Sequence, residues 1–320
     1  MAVTLSEHQN RPVVPRDEKA STTATVHKAH PDTEVATTHG DTDYKLGRDS
    51  QESIRLTAQH YCLVARQGFL LHPVVADAVS RIPNPRIVDV ATGNGVWAAE
   101  VARRYPDTSV LGLDISDAQY SPRYTWTENL EFDLYDLLQE IPSHLLGQFD
   151  VVHVRLILSA GPNVDKTLFI NRFHKLLRPG GWLQWDDLTY PNIHLVRQSG
   201  QGIAVSTSQD YPMLRILDNY LDQEARLSWF IDFEAVLEHF GGFDTIRLCT
   251  APLRPELLTV ETSLCVAVYE SLMVMLLGSG RISDGEAARL RKAVSDLRKD
   301  VESGLLFSYN WHTGIAQRSE

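Results

Sequence analysis

Asp89 leads into the turn Ala91-Thr92-Gly93-Asn94-Gly95-Val96, and Asp114 closes the run Val110-Leu111-Gly112-Leu113-Asp114 eighteen or so positions later. Two glycines between an apolar run and a helix let a ligand approach the backbone where a Cβ would block it. The helix N-terminus beyond them offers unpaired N–H donors. A carboxylate at the C-terminal edge of the neighbouring parallel strand accepts both hydroxyls of a ribose. A dinucleotide turn wants G-x-G-x-x-G, and this one lacks the third glycine. Asp89 would repel a pyrophosphate but hold a cationic amine, directly or through water. These residues therefore favour S-adenosylmethionine over NAD, with Asp89, Ala91, Gly93, Gly95 and Asp114 as cofactor-binding positions.

Acceptor chemistry needs other side chains. In Phe149-Asp150-Val151-Val152-His153-Val154-Arg155, period-two alternation puts Val151, His153 and Arg155 on one face of a strand. Arg155 lies nearest the C-terminal end, where open α/β sheets bind ligands, and is a candidate for the reaction site. His153, one step down, reads as a satisfied core histidine. Asp186 and Asp187 follow the run Gly181-Trp182-Leu183-Gln184-Trp185, where they would bind or deprotonate an acceptor, or form a solvated loop pair.

The elements that must position these groups are legible as periodicity. Residues 86–90 form an apolar run behind Pro85, which predicts a fully buried parallel strand, and residues 96–105 predict the helix leaving it. Strands follow at 109–113, 129–137 and 149–155, then a helix at 165–177, which Pro179 and Gly180-Gly181 end and turn directly into a new strand that stops before Asp186 and Asp187. Helical periodicity is expected from 190 to 243, a sixth strand over 245–250, and a buried apolar helix over 257–277. Glu261 and Glu270 interrupt that helix as a membrane span. Ser283-Asp284-Gly285-Glu286 is a capping box opening a helix with Ala287, Leu290, Val294, Leu297 and Val301 on one face. Residues 305–311 read as the final strand.

The pattern D-x-A-T-G-N-G followed by L-G-L-D resembles motifs I and II of class I methyltransferases, with Ala91 where the commoner pattern has glycine. R-L-x-x-Q-H at Arg55 to His60, with L-L-H-P at Leu70 to Pro73, is similar to the N-terminal signature of the fungal LaeA-type methyltransferases. The segments F-D-x-[VI]-H-x-R and L-[RK]-P-G-G-x-L-Q-W-[DE] match that family at Phe149 and Leu177. The resemblance implies an α/β fold: a Rossmann-like, mostly parallel seven-stranded sheet with the last strand antiparallel and helices on both faces. It implies a helical lid over residues 50–80, with Gln59, His60 and Tyr61 facing the ligands, His60 as a catalytic candidate beside Arg155 and Asp186, and Tyr61 as a cofactor contact. By the same resemblance Asp136 accepts from the adenine amino group and the Leu137 backbone N–H donates to the ring. An insertion over 190–243 would cover the acceptor, with Tyr211, Met213, Trp229 and Phe230 lining a pocket or packing as plain core. The family includes small-molecule N-, O- and S-methyltransferases of secondary metabolism and mycotoxin biosynthesis, and its namesake nuclear regulator. Three functions follow: a small-molecule methyltransferase, a regulator acting through protein partners, or a methyltransferase fold reused as a cyclase.

Composition sets the outer bounds. With 43% apolar and 22% charged residues among 320, the chain can bury a substantial core, and its net charge of −11 leaves no basic footprint for nucleic acid or a polybasic membrane attachment. Partners are expected to be small-molecule acceptors. Cys62, Cys249 and Cys265 form neither a disulfide framework nor a metal pattern. Residues 1–49, rich in Ser, Thr and His, read as a disordered tail in which His8, His27, His30 and His39 are solvated rather than metal-binding. Residues 50–320 form the single methyltransferase domain, with no metal expected. The location is cytoplasmic, or nuclear if the regulator alternative holds.

Overall fold

The computed structural model describes residues 48–160, 165–196, 203–208, 211–221, 227–280 and 282–320. Of the expected tail, only residues 48 and 49 fall among these, and His8, His27, His30 and His39 lie outside the described residues.

Asp49 caps α1 (Ser50–Gln67) by accepting from the Glu52 N–H, and Gly68, at φ +84°, ends it. α2 (Pro73–Val79) opens with proline at its first turn. β1 (Arg86–Val90), α3 (Val96–Arg104), β2 (Ser109–Asp114), β3 (Leu130–Leu134) and β4 (Phe149–Arg155) follow, then a single turn, α4 (Ile157–Ala160), then α5 (Lys166–Leu176) and β5 (Leu177–Val196). β1 pairs in parallel with β2 and β4, β2 with β3, and β4 with β5. β6 (Ile203–Thr207), α6 (Pro212–Leu221), α7 (Phe233–Phe240), β7 (Phe243–Thr250), α8 (Leu258–Gly278), α9 (Asp284–Glu302) and β8 (Leu306–Arg318) complete the described chain. The sheet path is β3-β2-β1-β4-β5-β8-β7, with β8 antiparallel to both neighbours. Eight strands therefore join the sheet where seven were expected, the extra one being β6 paired with β5, while the mostly parallel character with β8 antiparallel is as expected; strand order reverses between β1 and β4, where an open sheet binds its ligands at the strands' C-terminal ends.

Alternation along β4 feeds two cores. Val151 joins Val75, Trp97, Val101 and Trp182 on one face, and Val152 joins Phe169, Phe173, Trp185 and Phe233 on the other. The sheet is thus buried on both sides, as its unbroken apolar strands require.

Several expectations need correction. The region from 190 onward does not begin as helix: β5 continues to Val196, pairs with β8 through Ile193↔Tyr309 and Val196↔Leu306, and turns into a hairpin with β6. The extension persists because the first part of β8 runs antiparallel beside it, so Ile193, Leu195 and Val196 pair with Tyr309, Phe307 and Leu306, while the part of β8 beyond the expected residue 311 pairs with Trp182 to Asp187. β3 ends at Leu134, leaving Asp136 in the following loop. Asp186 and Asp187 lie inside β5, both buried, rather than after a strand end. Tyr211 and Phe230 are buried in the larger core, Phe230 against Trp185 and Phe233, with Met213 and Trp229 partly buried beside it. Nor is α8 a buried helix. Its fully buried residues are Leu258, Glu261, Thr262, Tyr269 and Leu272, while Val260 and Val274 stand exposed. A helix here, Pro255–Gly278, is long and apolar enough to cross a membrane. Its two glutamates are tied into the protein instead, Glu261 to Arg66 and Glu270 to Arg298. The capping box at Ser283 and Glu286 forms as expected.

Candidate active site

The turn after β1 and the end of β2 meet directly. Asp114 Oδ2 accepts from the Gly93 N–H at 2.8 Å and Oδ1 from the Ser116 N–H at 3.3 Å. Burial pushes the Asp114 carboxyl up from its ordinary value, opposed by those N–H donors. The Tyr135 N–H donates to the Asp114 carbonyl at 2.8 Å, anchoring the loop of Asp136 and Leu137 to the same edge. Within that loop the Asp136 carboxylate accepts from the Leu138 N–H at 2.9 Å. Across the turn lies α1: Asn94 Nδ2 donates to Thr57 Oγ1 at 2.9 Å and to the Ser53 carbonyl at 3.1 Å.

The glycines also make room for neighbours within the fold. A Cβ on Gly95 would lie 2.3 Å from Phe132 Cζ, so its open space already holds an aromatic ring of β3. A Cβ on Gly93 would lie 3.4 Å from Leu56 Cδ1 of α1. Both glycines take left-handed backbone, and so does Ala91, at φ +55°. That conformation explains why glycine suits this last position better than alanine.

Beneath the turn runs a buried polar chain. Asp89 Oδ2 accepts from Thr92 Oγ1 at 2.5 Å, and Asp89 Oδ1 meets His153 Nδ1 at 2.6 Å. His153 Nε2 meets Asp186 Oδ2 at 3.1 Å, while Asp186 Oδ1 accepts from Thr313 Oγ1 at 2.6 Å and Gln67 Nε2 at 3.2 Å. Burial works against a charged imidazole at His153, but the two carboxylates outweigh it and hold its pKa above the ordinary value. Burial likewise opposes ionisation of Asp186, and His153 outweighs it, holding that carboxyl low. Asp187 points the other way: its carboxylate accepts from the Leu158 and Leu188 N–H groups and from Trp185 Nε1, yet burial raises it to about 7.

A second chain joins α1, β4 and α3. Arg155 has no lone pair to offer, so His60 Nδ1 accepts from Arg155 Nη1 at 3.2 Å and His60 Nε2–H donates to Glu100 Oε2 at 2.6 Å. Burial and the Arg155 charge drive the His60 pKa down to about 4, so the ring is neutral with both nitrogens engaged. Tyr61, the next residue on α1, is 51% exposed and meets the His60 ring edge-on. The structure thus brings Asp89, His153 and Asp186 together, joins His60 to Arg155, and sets Asp114 on the Gly93 turn, with Tyr61 outside both chains.

Trp97, Glu100, Gln67 and Thr313 went unnoticed in the sequence. Glu100 had a signal, being a carboxylate on the apolar face of its helix. Gln67 and Thr313 had none, since their bonds to Asp186 span 119 and 127 residues. Among the described residues, no group of three or more His, Cys, Asp or Glu could hold a metal ion. Carboxylate oxygens at the turn suit hydroxyls and amines, not phosphate.

Residues 87–181 match the family described as Methyltransferase domain. Methyltransferase grgD of Penicillium sp is 36% identical over 155 residues, covering 45% of this chain and 52% of that protein. N-methyltransferase verN of Clonostachys rogersoniana is 32% identical over 146 residues, covering 44% of this chain and 48% of that protein. N-methyltransferase tcpN of Claviceps purpurea is 24% identical over 245 residues, covering 75% and 85%. The chain spans about half the length of grgD and verN. Strand order and the glycine turn define a class I methyltransferase fold. Residues 87–181 thus carry the likeness to a methyltransferase domain, and the chain is similar to the fungal methyltransferases grgD and verN over less than half its length.

Proposed function

We propose that this chain is a methyltransferase that moves the sulfonium methyl of S-adenosylmethionine to a nitrogen, oxygen or sulfur atom of a small molecule in fungal secondary metabolism. The observation that carries the reading is the Asp114 carboxylate seated on the Gly93 N–H, with Asp89 one strand away. In this reading Asp114 accepts the ribose hydroxyls, Asp136 and the Leu137 N–H read the adenine, and Asp89 receives the ammonium of the methionine end. The cofactor supplies an electrophilic methyl group. The chain supplies alignment, and effective molarities on the order of 10⁵ M are available from orientation alone.

His60 is a poor base for the acceptor. With its pKa near 4, full proton transfer from a phenol near ~10 would cost roughly 8 kcal/mol. Arg155 only donates, so its proposed role is to hold the acceptor. Acceptors that need no strong base, a neutral amine or a thiolate, fit these residues best. Incubation with methyl-labelled cofactor and fractionated fungal metabolites, read by mass spectrometry, tests the proposal: a labelled product supports it, and no calorimetric binding of S-adenosylmethionine sinks it. Binding without turnover in any fraction would favour the regulator, and a rearranged substrate with the methyl retained on the cofactor would favour the cyclase.

A further inference from the structure

Asp89, His153 and Asp186 cross three adjacent strands. Asp89 on β1 is the register partner of His153 on β4, and His153 is the partner of Gln184, two residues before Asp186 on β5. Side chains in register on one sheet face meet without strain, which accounts for the 2.6 Å and 3.1 Å contacts on either side of the imidazole. Trp97 of α3 lies flat on that ring, 3.6 Å between centroids and 4° between planes. This stack leaves the ring no room to turn, so each nitrogen keeps its own carboxylate. Around it stand Thr92 on Asp89, Gln184, Thr313 and Gln67 on Asp186, and the charges of Arg155 and Glu100, with neutral His60 beyond. A plain core histidine needs one partner for its N–H; this one is clamped between an acid of the cofactor turn and an acid of β5.

We infer that His153 is a positioning residue for cofactor binding: it fixes the Asp89 carboxylate in the orientation that meets the ligand's ammonium, and it couples that orientation to Asp186. Each Asp89 oxygen spends one lone pair inside the protein, Oδ1 on His153 and Oδ2 on Thr92, and keeps one for a ligand donor. Asp186 acts only through the imidazole. Its own hydroxyl and amide donors, Thr313, Gln184 and Gln67, come from three different elements and hold it still. The inference rests on the methyltransferase reading.

Two substitutions separate the ends of the clamp. In His153→Asn the amide N–H₂ takes the place of Nδ1 and keeps the donor to Asp89; in His153→Gln it takes the place of Nε2 and keeps the donor to Asp186. Calorimetry with S-adenosylmethionine on the full chain gives the affinities, and thermal midpoints without ligand serve as the control. His153→Asn is expected to bind within about threefold of wild type and His153→Gln at least tenfold more weakly. Asp186→Asn is expected to weaken binding by the same factor as His153→Asn, at most about threefold, in the wild-type background and to add nothing in His153→Asn. Equal affinities for wild type and His153→Gln overturn the inference, as does a loss that merely tracks the thermal midpoint in all three variants. If wild type itself binds no S-adenosylmethionine, the methyltransferase reading falls and the inference with it.

Discussion

A methyl group in an unusual place decides the cost of the turn after β1. Ala91 holds φ +55°, a conformation that costs an L-residue with a Cβ about 1–2 kcal/mol. Glycine removes that cost but loses roughly 0.5–1 kcal/mol of it to greater freedom in the unfolded chain. Ala91→Gly should therefore raise stability by roughly 0.5–1 kcal/mol, visible as a higher urea midpoint; a lowered midpoint would contradict the backbone argument. At Asp114 the stake is binding. Asp114→Ala removes a charged acceptor and should weaken S-adenosylmethionine by about 1.5–3 kcal/mol, and unchanged calorimetric affinity would dismiss the ribose assignment. Both residues were visible as types and spacings. Neither the dihedral of Ala91 nor the commitment of both His60 nitrogens was, because each is set by neighbours from other elements.

Elements with their own periodicity were legible; those completed by distant partners were not. β1 and β4 announce themselves as apolar runs between breakers, and the capping box marks the start of α9 without help. The second half of β5 is different: Ile193 to Val196 become strand because β8, more than a hundred residues on, offers a ladder. Local propensity carries no trace of that pairing. Gly95 shows the same dependence in miniature. Its turn was readable, but the ring that fills its open side comes from β3. Gly95→Ala drives a Cβ to 2.3 Å from Phe132 Cζ at φ +75°, so a destabilisation of about 2–4 kcal/mol is expected. Adding Phe132→Leu should recover part of it. Equal denaturation midpoints for Gly95→Ala and wild type would show that Phe132 gives way freely.

Across the whole molecule, buried charge sets the response to pH. Asp187 holds its proton up to about 7 in the fold but only to ~3.9 when unfolded. The folded state therefore binds the extra proton between those values, and stability falls as pH rises through that window, by at most about 4 kcal/mol. His153, also raised, has the same sign: its contribution is complete below ~6.5 and is lost as pH climbs through its folded value. Asp186, held low, contributes above ~3.9 and loses that contribution as pH falls through its folded value. Urea midpoints should accordingly be higher near pH 5.5 than near pH 8, and Asp187→Asn should flatten the decline between pH 5 and 7. A variant with the wild-type slope would assign that decline to other groups.

α8 turns Glu261 toward Arg66 of α1, and Thr262 and Tyr269 toward β8 and α6, where Thr262 Oγ1 donates to the Phe307 carbonyl and Tyr269 reaches Asp218, while Val260 and Val274 face outward. Its wet side is on the inside. Such a molecule carries exposed valines on an acidic body of net charge −11, so chromatography should find two personalities in it: firm retention on an anion exchanger at low salt, and retention on a phenyl matrix when salt is high, where water's reluctance to wet Val260 and Val274 is strengthened and charge is screened.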